Sequence, residues 1–531
     1  MATASAPSLV NEKIARGPSR LGMLSFVVVL ASGIVFVMWR LVSDLATVQT
    51  GSWLPYLGLA GALLIALAFE FVNGFHDTAN AVATVIYTHA LEPNVAVMWS
   101  GTWNFIGVLV SSGAVAFGII SLLPVELILQ VGSQAGFAMV FALLTAAIIW
   151  NLGTWYLGLP ASSSHTLIGS IIGVGIANQL MSVKTGTSGV DWAQASNIGK
   201  SLVISPLLGF GVAGLLLLVM RATIRDPRLY EAPKGNEPPP LWIRSLLILT
   251  CTGVSFFHGS NDGQKGMGLI MLILIGIVPT AYALNHAVPA RQTPAFIAVS
   301  RGTAAALEHY VTPGTNIGNP HDEIADYVRT RQYKPSTMLA LRQITNDIAN
   351  ELAIYTELSK VPPQNVRNFR NDMYLVSESL RLMKKKGEPA ISASDWLVLD
   401  AYKKQVDGAT KFIPTWVKVA VALALGLGTM VGWKRIVVTV GEKIGKDHLT
   451  YAQGAAAEIT AMATIGAADL LGMPVSTTHV LSSGVAGTMA ANRSGLQWNT
   501  VRNLLLAWVL TLPISIGLSA TLFWAFRSFA G

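Results

Sequence analysis

Phe71-Val-Asn-Gly-Phe-His-Asp-Thr-Ala-Asn80 follows one apolar run, 54–71, and Phe256-Phe-His-Gly-Ser-Asn-Asp-Gly-Gln-Lys265 follows another, 246–254. Aligned end to end, the two put Asp77 over Asp262 and Gly74 over Gly259. Further along, Gly158-Leu-Pro-Ala-Ser-Ser-Ser-His165 matches Gly472-Met-Pro-Val-Ser-Thr-Thr-His479, and behind each comes an apolar run broken by one proline, Pro206 answering Pro513. Matched landmarks in the same order mean that the chain was built by repeating a unit. Apolar halves related in this way are the mark of secondary transporters, whose substrate site lies at the repeat interface near the membrane midplane.

The composition places the repeat in a bilayer. Only 12% of residues are charged, 52% are hydrophobic, and the mean hydropathy is +0.52, where a soluble chain carries about a quarter of its residues as charges. Apolar runs recur at 21–42, 54–71, 95–123, 137–156, 202–220, 246–254, 269–284, 416–431 and 504–526. A helix needs about 20 apolar residues to cross the hydrocarbon core, and several of these runs are shorter. The expected fold is an all-α polytopic membrane protein, an inverted-repeat transporter of about ten to twelve membrane segments, some broken or re-entrant. The formal net charge of +8 does not point to nucleic acid, because Lys and Arg gather in the connectors, as in membrane proteins with basic cytoplasmic loops. Cys251 is the only cysteine, which excludes an intramolecular disulfide and a cysteine metal cluster. Lys13, Arg16 and Arg20 precede the first run, which is too long for a signal peptide and has no prompt cleavage site, so a retained helix is expected.

Polar segments divide the apolar mass. The expected organisation is an N-terminal tail with an extra membrane helix (1–50), a first membrane repeat (51–222), a basic Pro-rich loop (223–244), the start of the second repeat (245–284), an extramembrane, partly helical domain (285–413) and the rest of the second repeat (414–531). Within 285–413, the segments 338–358 and 365–385 show helical spacing, as at Leu341, Ile344, Ile348, Leu352 and Ile354. The part before Ser336 reads either as helix or as a poorly ordered linker.

The chemistry lies in the repeated motifs. A charged group at the bilayer centre costs several kcal/mol, so two symmetric aspartates in apolar surroundings point to function more than to a polar knot between helices. Proline ends one helix and starts the next, and the hydroxyls behind it can cap that new helix. A helix N-terminus also favours anions. Two such tips, carrying Ser162, Ser163, Ser164, Ser476, Thr477 and Thr478, would together cradle a tetrahedral oxyanion, with Asn80, Asn261 and Lys265 as further donors. Asp77 and Asp262 would bind the accompanying cation, a metal ion or a proton, through hard oxygen ligands. A carboxylate can also accept a hydrogen bond from protonated phosphate but not from sulfate. His76, His165 and His479 are proton-coupling candidates. Glu70 lies about two helical turns before Asp77, on its face; Glu458 and Asp469 are further intramembrane acids.

These motifs resemble the signature of the inorganic phosphate transporter (PiT) family, Gly-Ala-Asn-Asp-x-Ala-Asn-Ala, present once in each half. The resemblance runs from about residue 54 to the C-terminus and is closest to the bacterial low-affinity, proton-coupled branch at 74–87, 149–169, 259–275 and 451–489. It implies symport of phosphate, as a neutral complex with a divalent metal such as Mg2+, driven by protons and operating in the inner (plasma) membrane. It further implies an inverted-repeat fold and a homodimer. Where sodium-coupled relatives carry Asn before the first Asp, this chain has His76. Where they carry Ala and a second Asn in the second motif, it has Gln264 and Lys265, the latter matched to Asn80. An ammonium there would repel Na+, which favours protons over sodium. The alternatives are sodium-coupled phosphate symport, sulfate transport, a membrane phosphatase using Asp77 or Ser163 as nucleophile and His165 as base, and a receptor sensing through 285–413.

Overall fold

Hydrocarbon offers backbone N–H and C=O groups no partner but each other, and a chain in it satisfies them most directly as helix. The computed structural model describes residues 20–46, 54–77, 79–129, 133–181, 190–233 and 237–530, and among these there is no strand, only an isolated bridge between Gly445 and Leu496. Helix α1 (Arg20–Leu45) stands outside the repeat. The first repeat comprises α2 (Leu54–Asp77), α3 (Ala79–Tyr87), α4 (Pro93–Val110), α5 (Ala114–Ile120), α6 (Val125–Leu129), α7 (Gln134–Tyr156), α8 (Ser163–Met181) and α9 (Trp192–Thr223). The second opens with α10 (Leu241–Ile277) and a single turn, α11 (Pro279–Tyr282). A helical insert follows, α12 (Thr293–Glu308), α13 (Pro320–Thr330), α14 (Pro335–Tyr355), α15 (Pro363–Lys386) and α16 (Ala393–Thr410). The repeat then resumes with α17 (Thr415–Thr429), α18 (Lys434–Glu442), α19 (Tyr451–Leu470), α20 (Thr477–Ala491) and α21 (Trp498–Ala530).

The halves interlock by exchange. Helix α2 packs on α17 while α10 packs on α4; α8 packs on α21 while α20 packs on α9; α3 meets α18 while α5 meets α10. Each contact between halves therefore has an image with the halves swapped, the pattern of an inverted repeat. The glycines of the two Asp motifs bring the backbones together. A β-carbon on Gly74 would land on the Leu425 carbonyl oxygen, and one on Gly259 would land on that of Asn104. Their opposite numbers behave alike, with Gly428 against Phe71 and Gly107 against Phe256. Small residues allow this approach, which supplies packing where lipid supplies no hydrophobic drive.

Among the described residues, 6 helices can cross a membrane by length and composition, or up to 8 if each bent pair counts as one span. The bends are 75° between α4 and α5 and 71° between α16 and α17. The sequence expectation was about ten to twelve segments; the helices α8, α19 and α20 lie outside the length and hydropathy criterion. One expectation needs correction. The runs 246–254 and 269–284 are not separate segments: the first, and the second as far as Ile277, belong to α10, whose 37 residues continue through the second Asp motif without a break. Gly, Asn and Asp there are weak helix formers, but the residues from His258 to Gly276 are all buried among neighbouring helices, and tertiary packing overrides propensity.

Segment 285–336, for which a linker was one reading, contains α12 and α13. In α14, Leu341, Ile344, Ile348 and Leu352 are buried, whereas Ile354 falls off the stripe and is exposed. The insert is tied to the membrane helices by Asp191, whose carboxylate lies 2.6 Å from Arg331 and 3.6 Å from Arg381. Helix α1 lies on α17, Gly33 closing on Leu423, and ends where Tyr282 donates to Asp44 at 2.9 Å.

Candidate functional site

Two helical hairpins supply the centre of the molecule, α7–α8 and α19–α20. Each begins with the same turn. Gly158 (φ 68°) and Gly472 (φ 65°) take the left-handed conformation that ends a helix cheaply only for glycine. Leu159 N then donates to Thr154 O, and Met473 N to Ala468 O, both at 2.9 Å. Pro160 and Pro474 follow, and the next helix is capped identically, Ser162 accepting from His165 N and Ser476 from His479 N, each at 3.2 Å. Two of the six hydroxyls proposed as anion donors thus cap helices.

The two tips meet. Ser164 of the first donates to Val475 O of the second at 2.9 Å, and the His165 and His479 rings lie 4.5 Å apart, with Trp508 at 4.2 Å on the far side of His479. Asp77 joins both tips: Thr478 donates to one carboxylate oxygen at 2.6 Å, and the Ser163 hydroxyl lies against the other. His76 Nδ1 is 3.1 Å from Asp77, and its Nε2 is 3.1 Å from the Thr154 hydroxyl of α7. Thr477 is also buried, and its hydroxyl has no hydrogen-bond partner among the described residues.

The second motif is arranged differently. Lys265 Nζ lies 2.6 Å from Asp262 and donates also to Ser164. Asn261 clamps the second tip, donating to Met473 O at 3.0 Å and accepting from Val475 N at 3.4 Å. Both residues, read from the sequence as anion donors, here hold the tips and the acid. The side chain of Asn80 lies outside the described residues. Glu70 accepts from Asn73 at 3.4 Å and packs beside Gly266 of α10. Asp469 accepts from Ser260 at 2.7 Å and Gln264 at 2.8 Å, and buried Glu458 accepts from Thr84 and Thr250.

Asp77, Asp262 and His258 converge, one ligand atom from each lying within 4.8 Å of the others. Two carboxylates and an imidazole are a donor set that a divalent cation can take, although Lys265 already holds one oxygen of Asp262. His258 escaped the sequence reading. It stands one turn before Asp262, at 3.7 Å, opposite Asn73 in the repeat alignment, and is oriented by Asn104 at 2.7 Å. Asn73, 2.7 Å from the Ser163 hydroxyl, was also passed over. The i, i+4 spacing of His258 and Asp262 was the available signal.

The sequence is similar to that of known transporters. The family described as "Phosphate transporter family" matches residues 73–519. The low-affinity inorganic phosphate transporter PitA of Escherichia coli (strain K12) is 44% identical over 489 residues, covering 87% of this chain and 96% of that protein. PitB of the same strain is 42% identical over 496 residues, covering 88% and 97%. Among solved structures, a chain named "The sodium-dependent phosphate transporter" is 18% identical, with 89% of this chain and 99% of that one covered and a TM-score of 0.47. The relatives are transporters, not phosphatases. Repeat, tips and relatives agree: this is a multi-pass membrane protein that belongs to the phosphate transporter family.

Proposed function

We propose that the chain carries inorganic phosphate across the cell's inner (plasma) membrane by symport with protons, and that phosphate crosses as a neutral complex with a divalent cation such as Mg2+. The observation that carries the reading is the meeting of two inverted hairpin tips over Asp77 and Asp262. One hydroxyl at the helix N-terminus of each half, Ser163 and Thr478, converges on Asp77; such termini suit an oxyanion, and the acids beside them suit its cation. Alternating access then follows from parting one tip from Asp77 while the other stays. His76 is the proton carrier that the geometry favours, because it bridges Asp77 and the Thr154 hydroxyl. The test is uptake of radiolabelled phosphate by proteoliposomes that contain this chain alone. Accumulation under an acid-outside pH gradient is expected, faster with Mg2+ present; no uptake under any ion gradient rejects the reading.

The arrangement also supports a sidedness. Asp191 at the start of α9 and Tyr282 just beyond α10 lie at the end that bears the insert. The basic connector from α9 to α10 therefore lies at the other end, where Arg221 donates to Asn492 at 2.8 Å and Arg244 to Ala90 O at 2.8 Å. Lys443, Lys446 and Arg493 belong to the same end, and α1 starts there. Positive charge in short loops marks the cytoplasmic side, which puts the insert outside. With buried Cys251 replaced by Ala, a cysteine at Arg228 should react with a membrane-impermeant maleimide only after lysis. One at Lys384 should react in intact cells; the reverse pattern inverts the assignment.

A further inference from the structure

Between the insert and the membrane helices lies a cavity of about 310 Å3, walled by α5, α10, α15 and α16. Along α15 the residues Arg370, Tyr374, Glu378 and Arg381 line it from one helix face, and Lys411 and Asp407 close it from α16. The charges in this wall are matched, with one exception. Arg381 holds Glu378 and lies 3.6 Å from Asp191, while Lys411 and Lys403 hold Asp407 at 2.7 and 2.5 Å. Among the described residues Arg370 has no acidic partner. Its exposure is only 6%, its Nη1 donates to neighbouring Asn371 at 3.2 Å, its guanidinium stands 5.1 Å from the Tyr374 ring, and its buried Nε has no acceptor. A buried charge without a partner is costly, and Arg keeps its charge at all ordinary pH values. A planar guanidinium with free donors, backed by an aromatic face at a cavity, is the arrangement that binds a phosphate group in two-pronged fashion.

We propose that this cavity binds a compact phosphate-bearing anion through Arg370, at a site separate from the hairpin tips. The anion would rest against Leu272 and Ile275, which lie on the same unbroken helix as Asp262 and Lys265. Its occupancy would thus reach the transport centre through α10. A free phosphate and a phospholipid headgroup share the chemistry that Arg370 selects.

The experiment is equilibrium dialysis of radiolabelled inorganic phosphate against the purified full chain in lipid-free detergent, with and without added phosphatidylglycerol. Binding that survives Asp77→Asn and weakens about tenfold or more in Arg370→Gln is expected, with Arg370→Lys intermediate. A second variant leaves Arg370 intact: Thr410→Phe narrows the cavity from its α16 wall and should lose the same binding. Displacement of phosphate by phosphatidylglycerol supports the site with the lipid headgroup as its occupant; indifference to lipid supports it with the free anion. If wild type, Arg370→Gln and Thr410→Phe titrate alike with both phosphate and lipid, the site does not exist. Loss of transport-centre binding alone, in Asp77→Asn, bears on the tips and leaves this comparison intact.

Discussion

Asp77→Asn should lower phosphate uptake in proteoliposomes to the level of empty vesicles, a fall of about a hundredfold or more, with expression and membrane insertion unchanged. The carboxylate accepts from Thr478 on one tip and lies against Ser163 on the other, and His76 adjoins it. An amide keeps one acceptor oxygen and puts an NH2 group where the other stood, so one of the two hydroxyls meets a donor instead of an acceptor. Breaking a buried charged network by changing one member costs about 3 kcal/mol or more, which corresponds to the stated loss. The charge available to a co-transported cation disappears as well. Uptake at the wild-type rate by a monodisperse Asp77→Asn protein would show that the carboxylate is dispensable.

The driving ion gives the second large effect. With Lys265 Nζ 2.6 Å from Asp262, an ammonium stands at the oxygen that a monovalent metal ion would need. At an effective dielectric near 20, two unit charges about 4 Å apart repel by about 4 kcal/mol, so binding of bare Na+ beside it would weaken by about a thousandfold, whereas a divalent cation that enters already neutralised by phosphate carries no net charge to repel. Uptake should therefore follow a pH gradient without Na+. In Lys265→Asn, proton-driven uptake should fall, because Ser164 and Asp262 lose their shared cation, and the remaining uptake should become Na+-stimulated. Concentrative uptake by the wild type under a Na+ gradient at fixed pH, with none under a proton gradient, would overturn the assignment. A Lys265→Asn variant indifferent to Na+ would remove the electrostatic reason for it.

The repeat was legible because its landmarks are local: a glycine at a close backbone approach and a Gly-x-Pro turn must recur in the residues themselves. Hence Asp77, Asp262 and both hydroxyl triplets could be named from sequence, and the structure brings them together. The division of labour within the triplets was not legible. Ser163 and Thr477 occupy matched places in the repeat, but one lies against Asp77 and the other has an unengaged hydroxyl, and only the meeting of two distant tips decides which. Asn261 was read as an anion donor because spacing cannot reveal a competitor across the interface, whereas the Lys265–Asp262 pair stands at i, i+3 on one helix, a spacing that the sequence did display. The continuity of α10 was hidden for a related reason, since burial on all sides outweighs the breakers that the sequence displays.

That continuity has a mechanical consequence. A helix of 37 residues is a rod about 55 Å long, and it cannot flex near Asp262 without losing backbone hydrogen bonds that nothing else there replaces. A tilt of about 5° about its middle would carry each end some 2 Å, in opposite directions. Whatever loosens the basic connector on one face must thus displace the cap of helices on the other, and a weight hung on that cap, such as an antibody fragment or a crosslink to α9, would brake transport without touching the binding centre.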